Sequence, residues 1–182
     1  MHGLVLIAIK EFVISEFGAS LWLTACAGCE IADDNFSFAI QYPEETYTSL
    51  LDFVSQESGV PLEKLLFRTG RQFIATAYRV GFSAVFLETY GVGTLSVLHN
   101  VNKIHTHVIA SLPGAITPKI VCANVTDNSV RLSYYSHRNG LAPMLAGLIH
   151  GLADRFNEKI RLQQLQAKGV SGDCDIFLVE IL

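Results

Sequence analysis

The stretch Thr94–Leu112, TLSVLHNVNKIHTHVIASL, constrains this chain more than any other. Read at a helical period, Leu98, Val101, His105, Val108 and Leu112 fall on one stripe, while His99, Asn102, Thr106 and His107 fall off it. Of the three histidines here, only His105 sits on the side that has to be covered. A lone histidine on an apolar stripe is more often a satisfied core residue than a ligand. Neutral imidazole is also the commonest metal ligand among side chains. The stripe leaves both readings open.

A second stretch bears on the choice. Asn128–Arg138 reads as a strand with Val130, Leu132, Tyr134, Ser136 and Arg138 on one face. That face begins apolar and ends in a phenol, a hydroxyl and a guanidinium, each about 7 Å from the next by strand rise. Three such groups make a poor core, because buried polar atoms need partners. They suit two carboxylates at the rim of a hydrophobic slot, with Arg138 for a bidentate grip and Tyr134 and Ser136 as donors. Haem propionates fit that description.

The Tyr134-x-Ser136-x-Arg138 pattern lies downstream of His105, with Pro118 between them. Together with the opening MHGLV, the GRQF segment and RNGLAPMLAGLIHGL, this order of motifs resembles the haem-nitric oxide/oxygen binding domains. These occur as bacterial sensors and as the haem domain of soluble guanylate cyclase. The resemblance covers essentially the whole chain. It implies haem b with His105 as the sole protein ligand to iron, Tyr134, Ser136 and Arg138 at the propionates, and Pro118 pressing on the macrocycle. It also implies a distal pocket lined by Val5, Ile9, Phe73, Ile74, Met144 and Leu148.

Oxygen-binding members place a tyrosine in that pocket. Here the matching positions carry Phe73 and Met144, neither of them a useful donor. The implied function is a non-enzymatic cytoplasmic gas sensor that binds NO and CO at ferrous iron and excludes O2. Its signal would pass through the His105 helix to a separate partner, a histidine kinase or a cyclic-di-nucleotide enzyme.

Composition narrows the alternatives. At 182 residues the chain is long enough for one domain with a substantial core. The expected division is a distal helical subdomain over about 1–60 and a proximal one over about 61–182, with the cofactor between them. Half the residues are hydrophobic and mean hydropathy is +0.35. The best apolar run, LVLIAIKEFVI, is too short to span a membrane and is broken by Lys10 and Glu11. No signal peptide is visible. The apolar excess is instead that of a protein wrapped around an apolar cofactor.

A net charge of −4 with no basic cluster argues against nucleic acid and anionic membranes as partners. Cys26-Ala-Gly-Cys29 has the CxxC spacing but closes a helical segment, where a thioredoxin-like motif opens one. Some family members carry a zinc site built from several Cys and His late in the chain. Only Cys174 stands there, so no zinc is expected. Two competing readings remain: a binding module for an apolar carboxylate ligand without iron, and a thiol-redox enzyme using Cys26 and Cys29.

The elements follow in order. Helices are expected over His2–Phe17 and Ser20–Cys29, then from Pro43 to about Ser58 and from Pro61 to about Tyr78. Gly70, inside the fourth, suits close helix packing. A short helix or turn is expected over Phe82–Tyr90, then the His105 helix, stopped by Pro113-Gly114. Strands Lys119–Val125 and Ser129–His137, helix Ala142–Phe156 and a final hairpin of Lys159–Gln166 with Cys174–Leu182 complete the chain. The fold class is α+β, an N-terminal helical lobe packed on a C-terminal lobe with a four-stranded antiparallel sheet and helices.

Overall fold

A computed structural model describes residues 3–32, 34–80, 89, 91–112 and 114–182. The expected element at Phe82–Tyr90, the helix start at His2 and the stop at Pro113 fall wholly or partly outside the described residues.

Four helices come first: α1 (Gly3–Phe17), α2 (Ala19–Gly28), α3 (Glu44–Ser58) and α4 (Leu62–Arg79). Helix α5 (Thr94–Ser111) carries His105, and α6 (Ala142–Arg155) interrupts the strands β1 (Lys119–Thr126), β2 (Ser129–Tyr135), β3 (Ile160–Gln166) and β4 (Asp175–Ile181). The four strands form one antiparallel sheet in the order β1-β2-β4-β3. The architecture is the expected α+β arrangement.

Helix α1 is apolar on more than one face, and Leu6, Ala8, Ile9 and Val13 are fully buried. It packs on α2, α3 and most extensively on α4. Glu11 fixes its register there, accepting from Thr76 Oγ1 at 2.5 Å and Gln72 Nε2 at 3.2 Å and pairing with Arg79. Gly59 takes φ 68°, a left-handed turn that ends α3 after Ser58.

The most extensive helix contact is α4 on α6. Two glycines make it possible. A Cβ on Gly70 would stand 2.1 Å from the Met144 carbonyl oxygen, and one on Gly147 would stand 1.9 Å from that of Phe67. The two backbones therefore touch directly, which holds Phe73 and Ile74 on α4 beside Met144 and Leu148 on α6. Gly70 serves the close packing its position in the helix suggested.

Helix α5 stands apart from this cluster. Only Thr94, Val97 and Leu98 of it are buried, and it packs mainly on β1. Its N-terminus is closed from two sides: Thr94 N–H donates to Glu158 Oε2 just before β3 at 2.9 Å, and Gly93 N–H to Ser96 Oγ of the helix itself at 3.1 Å. A carboxylate at a helix N-terminus contributes roughly 0.3–1 kcal/mol.

Candidate functional site

A cavity of about 530 Å³ opens between α5 and the α1/α4/α6 cluster. That is within the ~300–1,000 Å³ usual for cofactor sites. One wall is the stripe read from the sequence: Leu98, Val101, His105, Val108 and Leu112 all line it. The stripe thus covers a cavity, with Leu98 also packed into the core. The other wall comes from Leu4 and Val5 of α1, Phe73 and Ile74 of α4, and Met144 and Leu148 of α6. No side chain of that second wall is a hydrogen-bond donor; the Met144 thioether is at most a weak acceptor.

Ile9, expected in this lining, is absent from it. The first turn of α1 reaches the cavity, but one turn later Ile9 is 0% exposed in the packed core. The helix has passed behind the cavity wall by then.

His105 is fixed by its other nitrogen. Nδ1 lies 3.0 Å from the Pro118 carbonyl oxygen, and a carbonyl only accepts, so Nδ1 carries the proton and donates. Nε2 is then left as a bare lone pair on a ring that lines the cavity. Burial pushes the imidazole pKa below its ordinary 6.5, opposed by the Pro118 bond, which favours the protonated ring. A neutral ring with one nitrogen anchored to backbone is how proteins prepare histidine for a metal.

The helix bearing it is pinned to the same strap. Asn102 Oδ1 accepts from Ile120 N–H at 3.1 Å while its Nδ2 donates to the Ile120 carbonyl, so one side chain pairs with β1 as a strand would. Nothing in the pattern of residues signals this. Asn102 lies off the apolar stripe, where polar side chains usually meet only water.

At the cavity rim stand Tyr134, Arg138 and Pro118. Tyr134 is buried, opposite Ile120 on one side and Asp175 on the other. Its burial raises the phenol pKa, and its side chain shares a hydrogen bond with Ser136. Strand β2 ends at Tyr135, short of the His137 end expected, and Ser136–Arg138 form a bend. The bend arises because Ser136 Oγ accepts from the Arg138 N–H at 3.1 Å, a local bond that competes with the ladder. Ser136 therefore shapes the bend and does not line the cavity.

Arg138 is 15% exposed and pairs through Nε and Nη2 with Glu44 in the first turn of α3. This pair holds the Glu44 carboxyl below its ordinary range. Glu44 reads in the sequence only as an acidic residue opening a helix. Its distance along the chain from Arg138 gives no signal of the contact.

The cysteines lie elsewhere. All four are free. Burial pushes the Cys26 thiol up to about 11 and raises Cys29 as well, which leaves little thiolate. Among the described residues no three His, Cys, Asp or Glu side chains gather as a bare metal ion would need.

Residues 2–164 match the family described as haem-NO-binding. The chain belongs to that family. Its members are sensor domains that bind haem and gas ligands. Soluble guanylate cyclase 89Da of Drosophila melanogaster is 22% identical over 156 residues, 86% of this chain and 23% of that protein. Soluble guanylate cyclase gcy-33 of Caenorhabditis elegans is 22% identical over 169 residues, 92% of this chain and 18% of that one. The chain thus spans about a quarter or less of these relatives.

Solved structures share the fold. An H-NOX protein from S. oneidensis in the Fe(II)NO state superposes with a TM-score of 0.88 at 21% identity, covering 100% of this chain and 99% of that one. An unliganded Fe(II) H-NOX protein from K. algicida gives 0.83 at 21% identity, covering 100% and 97%. Among the described residues no helix is long and apolar enough to cross a membrane.

Proposed function

We propose that this chain holds haem b through His105 and acts as a sensor of NO and CO that rejects O2. The observation that carries the reading is the His105 Nδ1–H bond to Pro118, which leaves Nε2 bare at an apolar cavity. Haem, when bound, would supply a ferrous iron able to take a diatomic gas.

The residues fit that group. His105 Nε2 is the one unanchored imidazole nitrogen on the cavity wall. Arg138 and Tyr134 offer a charged donor and a phenol at the rim for two carboxylates, with Ser136 shaping the bend that presents Arg138. The wall formed by Val5, Phe73, Ile74, Met144 and Leu148 offers a bound gas no hydrogen bond. Retention of O2 there would call for a hydrogen-bond donor from the protein, and retention of NO would not. Losing such a buried bond costs about 1–3 kcal/mol, roughly tenfold to a hundredfold in affinity.

Signalling follows from how α5 is held. His105 bonds to Pro118 and Asn102 to Ile120, so a shift of α5 carries the 118–120 strap and edge strand β1 with it. A separate partner, such as a histidine kinase or a cyclic-di-nucleotide enzyme, would read that movement.

An absorption spectrum of the purified ferrous protein tests the reading, taken alone and with NO, CO and air. A Soret band that shifts with NO and CO and shows no ferrous O2 complex in air is expected. A colourless protein that takes up no added haem overturns it and leaves the apolar carboxylate binder.

A further inference from the structure

The bend that carries Arg138 lies beyond the last ladder bond of β2, so something other than the sheet must hold it. Its internal bond, Ser136 Oγ to the Arg138 N–H, shapes the bend without attaching it to anything. The main chain of the bend is attached from the β3–β4 connection, beside the Arg138 side chain's pair with Glu44 of α3. Lys168 Nζ donates to the Ser136 carbonyl at 2.6 Å and to the Arg138 carbonyl at 3.3 Å. A half-buried ammonium thus clamps both ends of the three-residue bend.

The clamp is itself anchored. The Lys168 main-chain N–H donates to Asp175 Oδ1 at 3.0 Å, and Gln164 Nε2 donates to the same oxygen at 3.1 Å. Asp175 is 6% exposed and stands directly opposite Tyr134 in the β2–β4 ladder. Tyr134 is therefore indexed to Asp175 through strand register, and Arg138 is indexed to it through Lys168. One buried carboxylate sets the relative position of two rim residues that no regular element holds together.

We propose that Lys168 is a positioning residue for Arg138, setting its place beside Tyr134 in the carboxylate grip through the bend at 136–138. The clamp itself stands on the geometry of the haem-free chain; its consequence for cofactor retention rests on the haem reading above. Charge-assisted bonds to two carbonyls are stronger than neutral ones. Lys168→Met keeps an unbranched apolar stem, removes the ammonium donors and leaves the main-chain bond to Asp175 in place.

The test has two arms. In the haem-free protein, hydrogen exchange of the Arg138 amide should speed up about tenfold in Lys168→Met. It should stay at the parent rate in Lys64→Met, a control at an exposed position on α4. In the haem-loaded protein, transfer of haem to a scavenging apomyoglobin should speed up by a similar factor in Lys168→Met. The double variant Lys168→Met with Arg138→Ala should then lose haem no faster than Arg138→Ala alone.

An unchanged Arg138 amide in Lys168→Met overturns the clamp. Haem loss that adds fully across the double variant overturns the positioning role, since a general stability defect would add where an effect routed through Arg138 cannot. A parent chain that takes up no haem sinks the haem reading, while the exchange arm still decides on Lys168. Should Lys168→Met not fold, Lys168→Gln carries the same comparisons.

Discussion

Arg138 and Glu44, 94 residues apart in the chain, meet as a two-donor ion pair in which Nε and Nη2 of the guanidinium reach one carboxylate oxygen. The pair ties the rim of the cavity to the first turn of α3. Its Glu44 carboxyl titrates below the ordinary 4.5 because Arg138 donates to it. A carboxyl depressed in the folded state contributes stability that is fully present above its unfolded pKa and is lost as pH falls through the folded one. Thermal melts of the haem-free chain should therefore show a smaller acid-induced loss below about pH 4.5 in Glu44→Gln than in the parent. The difference should shrink in high salt, since Glu44 is partly exposed. Identical acid limbs would mean that the pair makes no contribution.

His105→Gly should keep the fold, because the rest of its stripe remains apolar, and should lose its hold on haem. Imidazole added to the medium should restore haem retention by filling the vacated space. Normal retention by His105→Gly without imidazole would remove His105 from the ligand role.

Arg138→Ala should weaken haem retention more than Ser136→Ala. The first removes a charged donor at the rim, worth about 1.5–3 kcal/mol when it meets a carboxylate, and the second a neutral bond inside the bend, worth about 1 kcal/mol. Haem dissociation rates measure both. Equal rates would contradict the assignment of the propionates to this rim.

Met144→Tyr should bring a phenolic donor to a wall that has none. Phe73 shares that wall and gives the new hydroxyl no polar partner. A weak ferrous O2 complex and slower autoxidation than in the parent are expected, with Met144→Tyr plus Phe73→Asn doing better. Tyr135 is not a competing donor, being 44% exposed and off the cavity. A stable O2 complex in the unmodified protein would overturn the donor-free wall, and Tyr42, which lines the cavity from the loop before α3, would be the first donor to replace.

Gly147→Ala should destabilise the chain severely. The added methyl lands 1.9 Å from the Phe67 carbonyl oxygen, a backbone atom that can yield only if α4 and α6 separate. A loss of about 2–4 kcal/mol is expected by chemical denaturation, above the usual range for overpacking because no side chain can swing aside. A loss under about 0.5 kcal/mol, the size of an ordinary surface change, would show that the crossing is looser than drawn.

What could be read from the residues was whatever repeats along the chain. The α5 stripe, the strands at 119–126 and 129–135 and the helix after Gly140 all announce themselves by period, and their bounds moved by only one or two residues. What could not be read depends on a partner distant in sequence. Asn102 resembles any exposed helix residue until Ile120 is placed beside it. Glu44 resembles an ordinary helix-opening acid until Arg138 arrives. Ile9 follows Val5 by one turn and shares its apolar character, so only the angle at which α1 crosses the cavity tells them apart. The end of β2 is hidden because the alternation of Tyr134, Ser136 and Arg138 continues through a bend that a serine hydroxyl creates.

The glycine crossing of α4 and α6 separates two properties that most pockets bind together. Where helices are spaced by interlocking side chains, a change of residue moves the wall that displays it. Here main chain rests on main chain at Gly70 and Gly147, so the spacing owes little to Phe73, Ile74, Met144 or Leu148. Those four positions are free to vary in chemistry while the frame stays still. Single substitutions at those positions can therefore change what the wall offers a ligand without moving the helices that carry it.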